Sequence, residues 1–298
     1  MKRRLLIGAL ACAPLLMTLN LTPADATTVT GQKIGVPAYF STGDDASWSA
    51  LDKAGSGAVA IVNESNGPGL DSSGTGDATQ PDPAMAARIK AAHAAGLKVL
   101  GYVDTGWFGQ NDEHRQTRTG STSESAWTAQ AEGDIDAWYK LYGSDGVDGI
   151  FFDDAWGDDC SYESLYATLA QYARTAAANG PYAKAWTVDN PGSDVDPCYL
   201  NDSRSADTFV DYEGAYDGDG GNNTPYDQWT PTSAEQSAAP GRFWNLVYNV
   251  PSSQMSSVVA RSKSDNAGYV YATDLDLPNP WLTTASYMPQ EEALDPAS

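Results

Sequence analysis

The chain has 298 residues, of which 41% are hydrophobic and 19% are charged, so it can bury a sizeable core and is not a disordered polymer. Its 39 acidic and 17 basic side chains give a formal net charge of −22 at pH 7. Nucleic acids and anionic lipid surfaces are polyanions, so this charge excludes them as favoured partners and favours a neutral or cationic one. Solubility outside the cell is an alternative reason for such an acidic composition.

The N-terminal segment has the pattern of a secretory signal peptide. A basic segment, an apolar segment and an Ala-x-Ala cleavage site follow one another at residues 2–4, 5–19 and 24–26. We expect removal of residues 1–26, which leaves one domain over residues 27–298 that is secreted, either free or associated with the cell surface. Cys12 offers a lipoprotein signal as an alternative, which the short apolar run before it disfavours. No other stretch approaches the roughly 20 apolar residues of a membrane span, so no membrane partner is expected after cleavage.

Export changes the expected state of the cysteines. Without Cys12 the mature chain keeps Cys160 and Cys198, and an even pair in an oxidising compartment predicts a disulfide. Zinc ligation is the alternative, but the only histidines are His93 and His114, so no metal site is expected.

The mature chain alternates between β-rich runs and helical segments. The predicted strands are residues 34–40, 58–63, 99–103, 147–153, 183–189, 208–213, 243–248 and 268–272. Apolar residues at helical spacing predict helices at residues 83–95, 124–142, 161–178 and 253–264. Several connections, including those after the first and sixth strands, show no clear helical spacing. Several strands are continuous apolar runs, which is typical of strands covered on both faces.

Eight strands, each followed by a helix or a long loop, predict an α/β fold with a single (β/α)8 TIM barrel. The alternative is an open doubly wound sheet. The sequence has no Gly-rich dinucleotide turn after the first strand and no phosphate loop, which weakens the functions usual for that alternative. No linker or internal repeat divides the chain, so we expect one domain, no cofactor and a monomer.

Polar residues lie at the ends of most predicted strands: Asn63, Asp104, Asp153, Asp154, Asp189, Glu213 and Asn249. In a barrel these positions converge on the C-terminal mouth, where active sites lie, although each by itself could cap a helix. Nearby aromatic residues offer flat faces for sugar rings, although each by itself could pack in the core. We expect substrate contacts from eight residues: Tyr39, Asn63, Asp104, Trp107, Trp156, Asp189, Tyr216 and Asn249.

Carboxylates are the reactive groups that this sequence offers. It contains no Gly-x-Ser-x-Gly elbow, and a Ser-His or Cys-His nucleophile would need His93, on a predicted helix, or His114, in a polar loop. Glycoside hydrolysis needs two carboxyl groups, one protonated to assist the leaving oxygen and one ionised as nucleophile or base. The fourth and sixth predicted strands bring such acids, and a barrel can hold them across one groove.

Several short motifs occur together along the chain. They are Val-Pro-Ala-Tyr at residues 36–39, Ile-Val-Asn at 61–63 leading to Asn-Gly-Pro-Gly at 66–69, the run at 96–103, the run at 147–154, and Glu213. In these motifs, and over about residues 35–271, the chain resembles the spherulin 4-like (spherulation-specific family 4) cell-surface proteins. That family includes secreted endo-α-1,4-galactosaminidases that act on galactosamine-containing exopolysaccharide.

The resemblance implies a (β/α)8 hydrolase with catalytic acids at Asp153, Asp154 and Glu213. In this hypothesis Asp153 is the nucleophile or stabilises the oxocarbenium ion, and Glu213 is the general acid and then the base. The family's enzymes usually carry Glu at the second position of the strand-four pair. Asp154, shorter by one methylene, is expected to tune the other two acids or to bind an amino or hydroxyl group of the sugar. The expected partner is a neutral or cationic aminosugar polymer.

Three alternatives stay open. The first is a non-catalytic polysaccharide-binding protein of the cell surface with the same fold. The second is a chitinase-like barrel, whose strand four ends in Asp-x-x-Asp-x-Asp-x-Glu, but here Phe151 and Ala155 replace two of those acids. The third is a calcium-stabilised protein, suggested by acidic residues at 158–159 and 217–223. The second of these runs lacks the sixth-position Gly and the final Glu of an EF-hand loop.

Overall fold

The computed structural model describes residue 29 and residues 31–178, 185–218 and 224–294. The predicted signal peptide lies outside these residues, as does most of the acidic run at 217–223. Within the described part of the chain, no helix is both long enough and apolar enough to cross a membrane.

Eight parallel strands form a closed barrel in the order in which they occur in the sequence. The strands are β1 Lys33–Ala38, β2 Val59–Val62, β3 Lys98–Asp104, β4 Val147–Asp153, β5 Trp186–Asp189, β6 Thr208–Ala215, β7 Phe243–Tyr248 and β8 Tyr269–Ala272. All eight predicted strands are present, with ends that differ by a few residues at most. Because β8 pairs with β1, the sheet has no free edge, which confirms the TIM barrel and excludes the open sheet.

Helices surround the barrel. They are α1 Asp45–Lys53, α2 Pro83–Ala94, α3 Glu124–Tyr142, α4 Glu163–Ala178, α5 Pro197–Asn201, α6 Ser233–Ser237, α7 Met255–Ser264 and α8 Met288–Glu292. The four helices predicted from apolar spacing correspond to α2, α3, α4 and α7. After β6, the five-residue helix α6 is too short to show a helical period. Its sequence signal is a capping box between Thr232 and Glu235.

Tryptophan rings pack against strand glycines on both sides of the barrel wall. A Cβ on Gly35 of β1 would lie 2.2 Å from the Trp244 ring, so glycine makes room for this indole in the barrel interior. On the outer side, Gly101 of β3 makes the same room for Trp138 of α3. The Trp138 indole N–H also donates to the Tyr102 carbonyl at 2.7 Å. This packing holds α3 close against β3, beneath the loop that follows β3.

Cys160 and Cys198 form a disulfide, as the sequence predicts. Their Cα atoms are 5.9 Å apart, within the usual range of about 4.4–6.8 Å. The bridge joins the loop after β4 to α5, and it therefore restrains the segments that follow two neighbouring strand ends at the barrel mouth.

Candidate active site

A groove of about 860 Å³ opens at the C-terminal mouth of the barrel. Residues at or just beyond the end of every strand line it, including Tyr39, Asn63, Glu64, Tyr102, Trp107, Asp153, Asp154, Asn190, Glu213, Tyr248 and Trp281. Six of the residues singled out from the sequence are in this set: Tyr39, Asn63, Trp107, Asp153, Asp154 and Glu213. Asn63 also stabilises the turn after β2, because its Oδ1 accepts a hydrogen bond from the Gly67 N–H at 3.2 Å.

The pairing of β4 with β5 decides which strand-five residue reaches the groove. Asp189 pairs with Phe152, and paired residues point to the same side of a sheet. Both therefore face away from the barrel axis, whereas the next residues, Asp153 and Asn190, face the groove together. Asp189 is fully buried and does not line the groove, contrary to the expected substrate contact. Burial raises its pKa to about 8.

A bulge in β6 turns Glu213 into the groove. The register with β7 shifts between Val210 and Tyr212, which leaves Asp211 as the extra residue. Strict alternation from the inward-facing Val210 would place Glu213 on the outer face. The fully buried Asp211 accepts a hydrogen bond from Asn245 Nδ2 at 2.8 Å, which holds the bulge. Burial raises the pKa of Asp211 well above its ordinary value, and the charge of a nearby acid adds to this.

Asn190 connects the acids of β4 and β6. Its Nδ2 donates to Asp153 Oδ1 at 2.6 Å and to Glu213 Oε2 at 2.7 Å. The Tyr102 hydroxyl donates to the second Asp153 oxygen at 2.7 Å. The Trp281 side chain makes a further hydrogen bond to Glu213. Each carboxyl group is thus held by two side chains in a defined orientation.

Burial raises the pKa of both acids. Burial raises the pKa of Glu213 to about 7, and the negative charge of Asp153 adds to the rise, while hydrogen bonds from Asn190 and Trp281 oppose it. Burial also raises the pKa of Asp153, but donors from Tyr102 and Asn190 stabilise its ionised form. Carboxyl groups this close titrate as a pair. Because the charge of Asp153 helps to raise the pKa of Glu213, ionisation of Asp153 favours retention of the proton by Glu213, and an acid and a nucleophile need such coupling.

Asp154 and Asp104 share one guanidinium group. Arg115 Nη1 lies 2.8 Å from Asp154 Oδ2, and Arg115 Nη2 lies 2.8 Å from Asp104 Oδ2. Burial raises the pKa of Asp154 to about 9, and the charges of Asp153 and Asp104 add to the rise while Arg115 opposes it. Asp104 is not among the residues that line the groove, and its second oxygen accepts a hydrogen bond from the Gly106 N–H at 2.8 Å. Asp104 therefore positions Arg115 and the loop after β3.

A left-handed turn places Trp107 in the groove. The φ angles of residues 106–109 are 51°, 49°, 52° and 70°, and non-glycine residues in this region cost about 1–3 kcal/mol each. A Cβ on Gly106 would lie 2.3 Å from the Trp127 ring, so this position requires glycine. The Arg115 guanidinium lies 5.7 Å from the centre of the Trp107 ring. Packing from α3 and this cation–π contact maintain the strained turn.

Three other expected substrate contacts lie outside the groove. Trp156 is behind Trp107, where its indole N–H donates to the Trp107 carbonyl at 3.1 Å. Tyr216 packs against the hydrophobic core. Asn249 follows β7, and its Nδ2 lies 3.4 Å from Asp217 Oδ2. All three follow strand ends, but the loops carry their side chains away from the groove.

Sequence reasoning missed Asn190 and Tyr102, the two residues that donate side-chain hydrogen bonds to Asp153. Asn190 directly follows the predicted fifth strand, one position after Asp189, the acid that was expected to contact substrate. Tyr102 lies two residues before Asp104 on the third strand. Strand alternation places both side chains on the same face of the sheet and does not show which of them contacts Asp153. Only the hydrogen bonds to Asp153 identify both residues.

Comparisons with known proteins agree with this architecture. The model of spherulation-specific family 4 matches residues 33–293. The crystal structure of Sph3 from Aspergillus clavatus, in complex with GalNAc, matches with a TM-score of 0.67 at 18% identity, over 92% of this chain and 99% of that chain. At this identity the similarity shows a shared fold.

Two chitinase structures have lower TM-scores. A chitinase from Chromobacterium violaceum matches with a TM-score of 0.48 at 12% identity, over 89% of this chain and 98% of that chain. A family 18 chitinase from Pseudoalteromonas aurantia matches with a TM-score of 0.45 at 12% identity, over 80% of this chain and 93% of that chain. A comparison with curated protein sequences gives no significant match.

Proposed function

The chain belongs to spherulation-specific family 4, and we propose that it is a secreted glycoside hydrolase that cleaves an aminosugar-containing exopolysaccharide internally, at α-1,4-linked galactosamine or N-acetylgalactosamine units. One observation carries the proposal: Asn190 Nδ2 joins two carboxyl groups at the barrel mouth, Asp153 at 2.6 Å and Glu213 at 2.7 Å. The GalNAc bound in the Sph3 crystal supports an aminosugar as the recognised unit. The disulfide supports an oxidising, extracellular location.

In the proposed mechanism Asp153 is the nucleophile and Glu213 is the general acid and base. As the glycosidic C1–O bond breaks, the proton of Glu213 passes to the leaving oxygen and an Asp153 oxygen bonds to C1. A water molecule then attacks C1, gives a proton to Glu213 and releases the Asp153 carboxylate. Tyr102 and Asn190 keep Asp153 ionised and oriented during the first step, because both donate hydrogen bonds to it.

The positions of the two acids favour retention of configuration at C1. One oxygen of each contacts the same Asn190 nitrogen, at 2.6 and 2.7 Å. The two contacting oxygens can therefore be no more than about 5.3 Å apart. This limit fits the separation of about 5–5.5 Å that is typical of retaining enzymes and lies below the roughly 6.5–9.5 Å that inverting enzymes need to admit water. Proton NMR of the first product formed measures the outcome. Initial release of the α-anomer is expected, and initial release of the β-anomer would contradict a covalent role for Asp153.

The remaining groove residues support binding. Tyr39, Trp107 and Trp281 present aromatic surfaces to the groove, which suit the apolar faces of sugar rings. Asp154, tied to Arg115, places a further acid beside the reacting pair. Its role is to tune the charge of that pair or to accept a hydrogen bond from a sugar substituent.

Product analysis by mass spectrometry tests the proposed function. Protein starting at Thr27 and its Glu213→Gln variant are incubated with partly deacetylated α-1,4-linked galactosamine polymer. Short oligomers released by the wild type alone are the expected result. Equal release by both proteins would contradict the role of Glu213. Binding of the polymer without any release would favour the non-catalytic polysaccharide-binding alternative.

A further inference from the structure

A second cavity adjoins the groove between the loops that follow β1 and β2. This side cavity has a volume of about 580 Å³, within the range of about 300–1,000 Å³ that is common for small-molecule sites. It shares Tyr39, Asn63, Glu64 and Ser65 with the groove. A polymer that lies in the groove can therefore place a neighbouring unit in the side cavity.

The Glu64 carboxylate stands where the two cavities meet, and the surrounding residues hold it in place. The Tyr142 hydroxyl hydrogen-bonds to it and accepts a hydrogen bond from the Asp82 backbone N–H at 2.9 Å. On its other side, a Cβ on Gly69 would lie only 2.4 Å from Glu64 Oε2. Gly69 also has a φ of +97°, which favours glycine. The turn after β2 is thus shaped around this carboxylate.

The side cavity carries negative charge without a matching cation. Glu64 and Asp82 line it, and among the residues that the structure describes its lining contains no Lys, Arg or His. Among the ion pairs of the described residues, none involves Glu64. Arg88 on α2 is engaged elsewhere, because it donates to the Thr42 carbonyl at 2.8 and 2.9 Å and pairs with Asp45.

We infer that the side cavity is a subsite for a hexosamine unit with a free amino group, and that Glu64 binds its ammonium. The inference rests on the proposed function and specifies its substrate as a polymer that is at least partly de-N-acetylated. An ammonium group supplies the cation that the side cavity lacks, whereas an N-acetyl nitrogen is neutral. Leu70 and Met85, which also line the cavity, offer apolar surface to the sugar ring.

The test compares kcat/KM for α-1,4-linked galactosamine oligosaccharides with free amino groups and for the same oligosaccharides after complete N-acetylation. The Glu64→Gln variant keeps the shape of the side chain and removes its charge. We expect it to lower the ratio of the two kcat/KM values about tenfold, since a hydrogen bond to a charged group is worth about this factor or more. Tyr142→Phe, which removes the hydroxyl that holds Glu64, should lower the ratio by less. Glu124→Gln, the same change at an exposed position of α3, should leave the ratio unchanged.

The outcomes separate the subsite from the proposed function. If the wild type cleaves the oligosaccharides and Glu64→Gln keeps the wild-type ratio, the subsite is refuted while the hydrolase stands. If the wild type cleaves neither oligosaccharide, the proposed function fails, and calorimetric binding of the free-amine galactosamine oligosaccharide decides the subsite. Weaker binding by Glu64→Gln would then support it, and equal binding would overturn it.

Discussion

Replacing Asn190 with alanine removes the amide that donates to both proposed catalytic acids, at 2.6 and 2.7 Å. A hydrogen bond to a charged group is worth about 1.5–3 kcal/mol, and one pKa unit corresponds to about 1.4 kcal/mol. Each donated bond stabilises the ionised form, so its loss raises the pKa of Asp153 and of Glu213, each by about one unit or more. The acid limb of the rate profile, where Asp153 must lose its proton, and the alkaline limb, where Glu213 must keep its proton, should both move up by about one pH unit.

The assay for Asn190→Ala is kcat/KM against pH, because this profile reports the ionising groups of the free enzyme. We also expect kcat to fall by roughly 10- to 100-fold, since the acids lose their shared orientation. Asn249→Ala is the matched control, because it deletes an amide that follows a strand end outside the groove. A variant profile with the limbs and height of the wild type would refute the reasoning.

Three further predictions concern stability. The pKa of Asp211 is higher in the folded state than in the unfolded state, so its contribution to the free energy of unfolding is lost as pH rises towards the folded-state pKa. Asp211→Asn should therefore gain stability relative to the wild type as pH rises from 4 to 8, measured by urea unfolding. A difference in unfolding free energy that stays constant over this range would contradict the prediction. Replacing both Cys160 and Cys198 with serine should lower the free energy of unfolding by about 4 kcal/mol in the chain-entropy model, since the two residues lie 38 positions apart. An unchanged melting temperature would show that the bridge contributes little to stability. Gly106→Ala should lower the free energy of unfolding by about 1–3 kcal/mol, because the added methyl group overpacks against Trp127. Urea unfolding measures this change, and a variant as stable as the wild type would show that the turn can relax.

Residue order alone was enough to predict the barrel and the mouth at which its candidate site lies. The eight β-rich runs are visible in the local sequence, and all eight form strands of a closed barrel. Since parallel strands in a barrel all end at one mouth, the polar residues that follow those strands were expected to meet there. The pairing of Cys160 with Cys198 was equally predictable, because the third cysteine of the sequence, Cys12, lies in the predicted signal peptide.

Which side chains face the groove depended on contacts between distant parts of the chain. Asp189 and Asn190 are adjacent, yet the pairing of β5 with β4 turns the first outward and the second towards Asp153. Glu213 reaches the groove because the register between β6 and β7 shifts at Asp211. Strand side chains alternate with a period of two, so a shift of one residue in a ladder exchanges the inner and outer faces. That shift depends on contacts between the two strands, such as the hydrogen bond from Asn245 to Asp211, and the sequence of either strand alone does not reveal it.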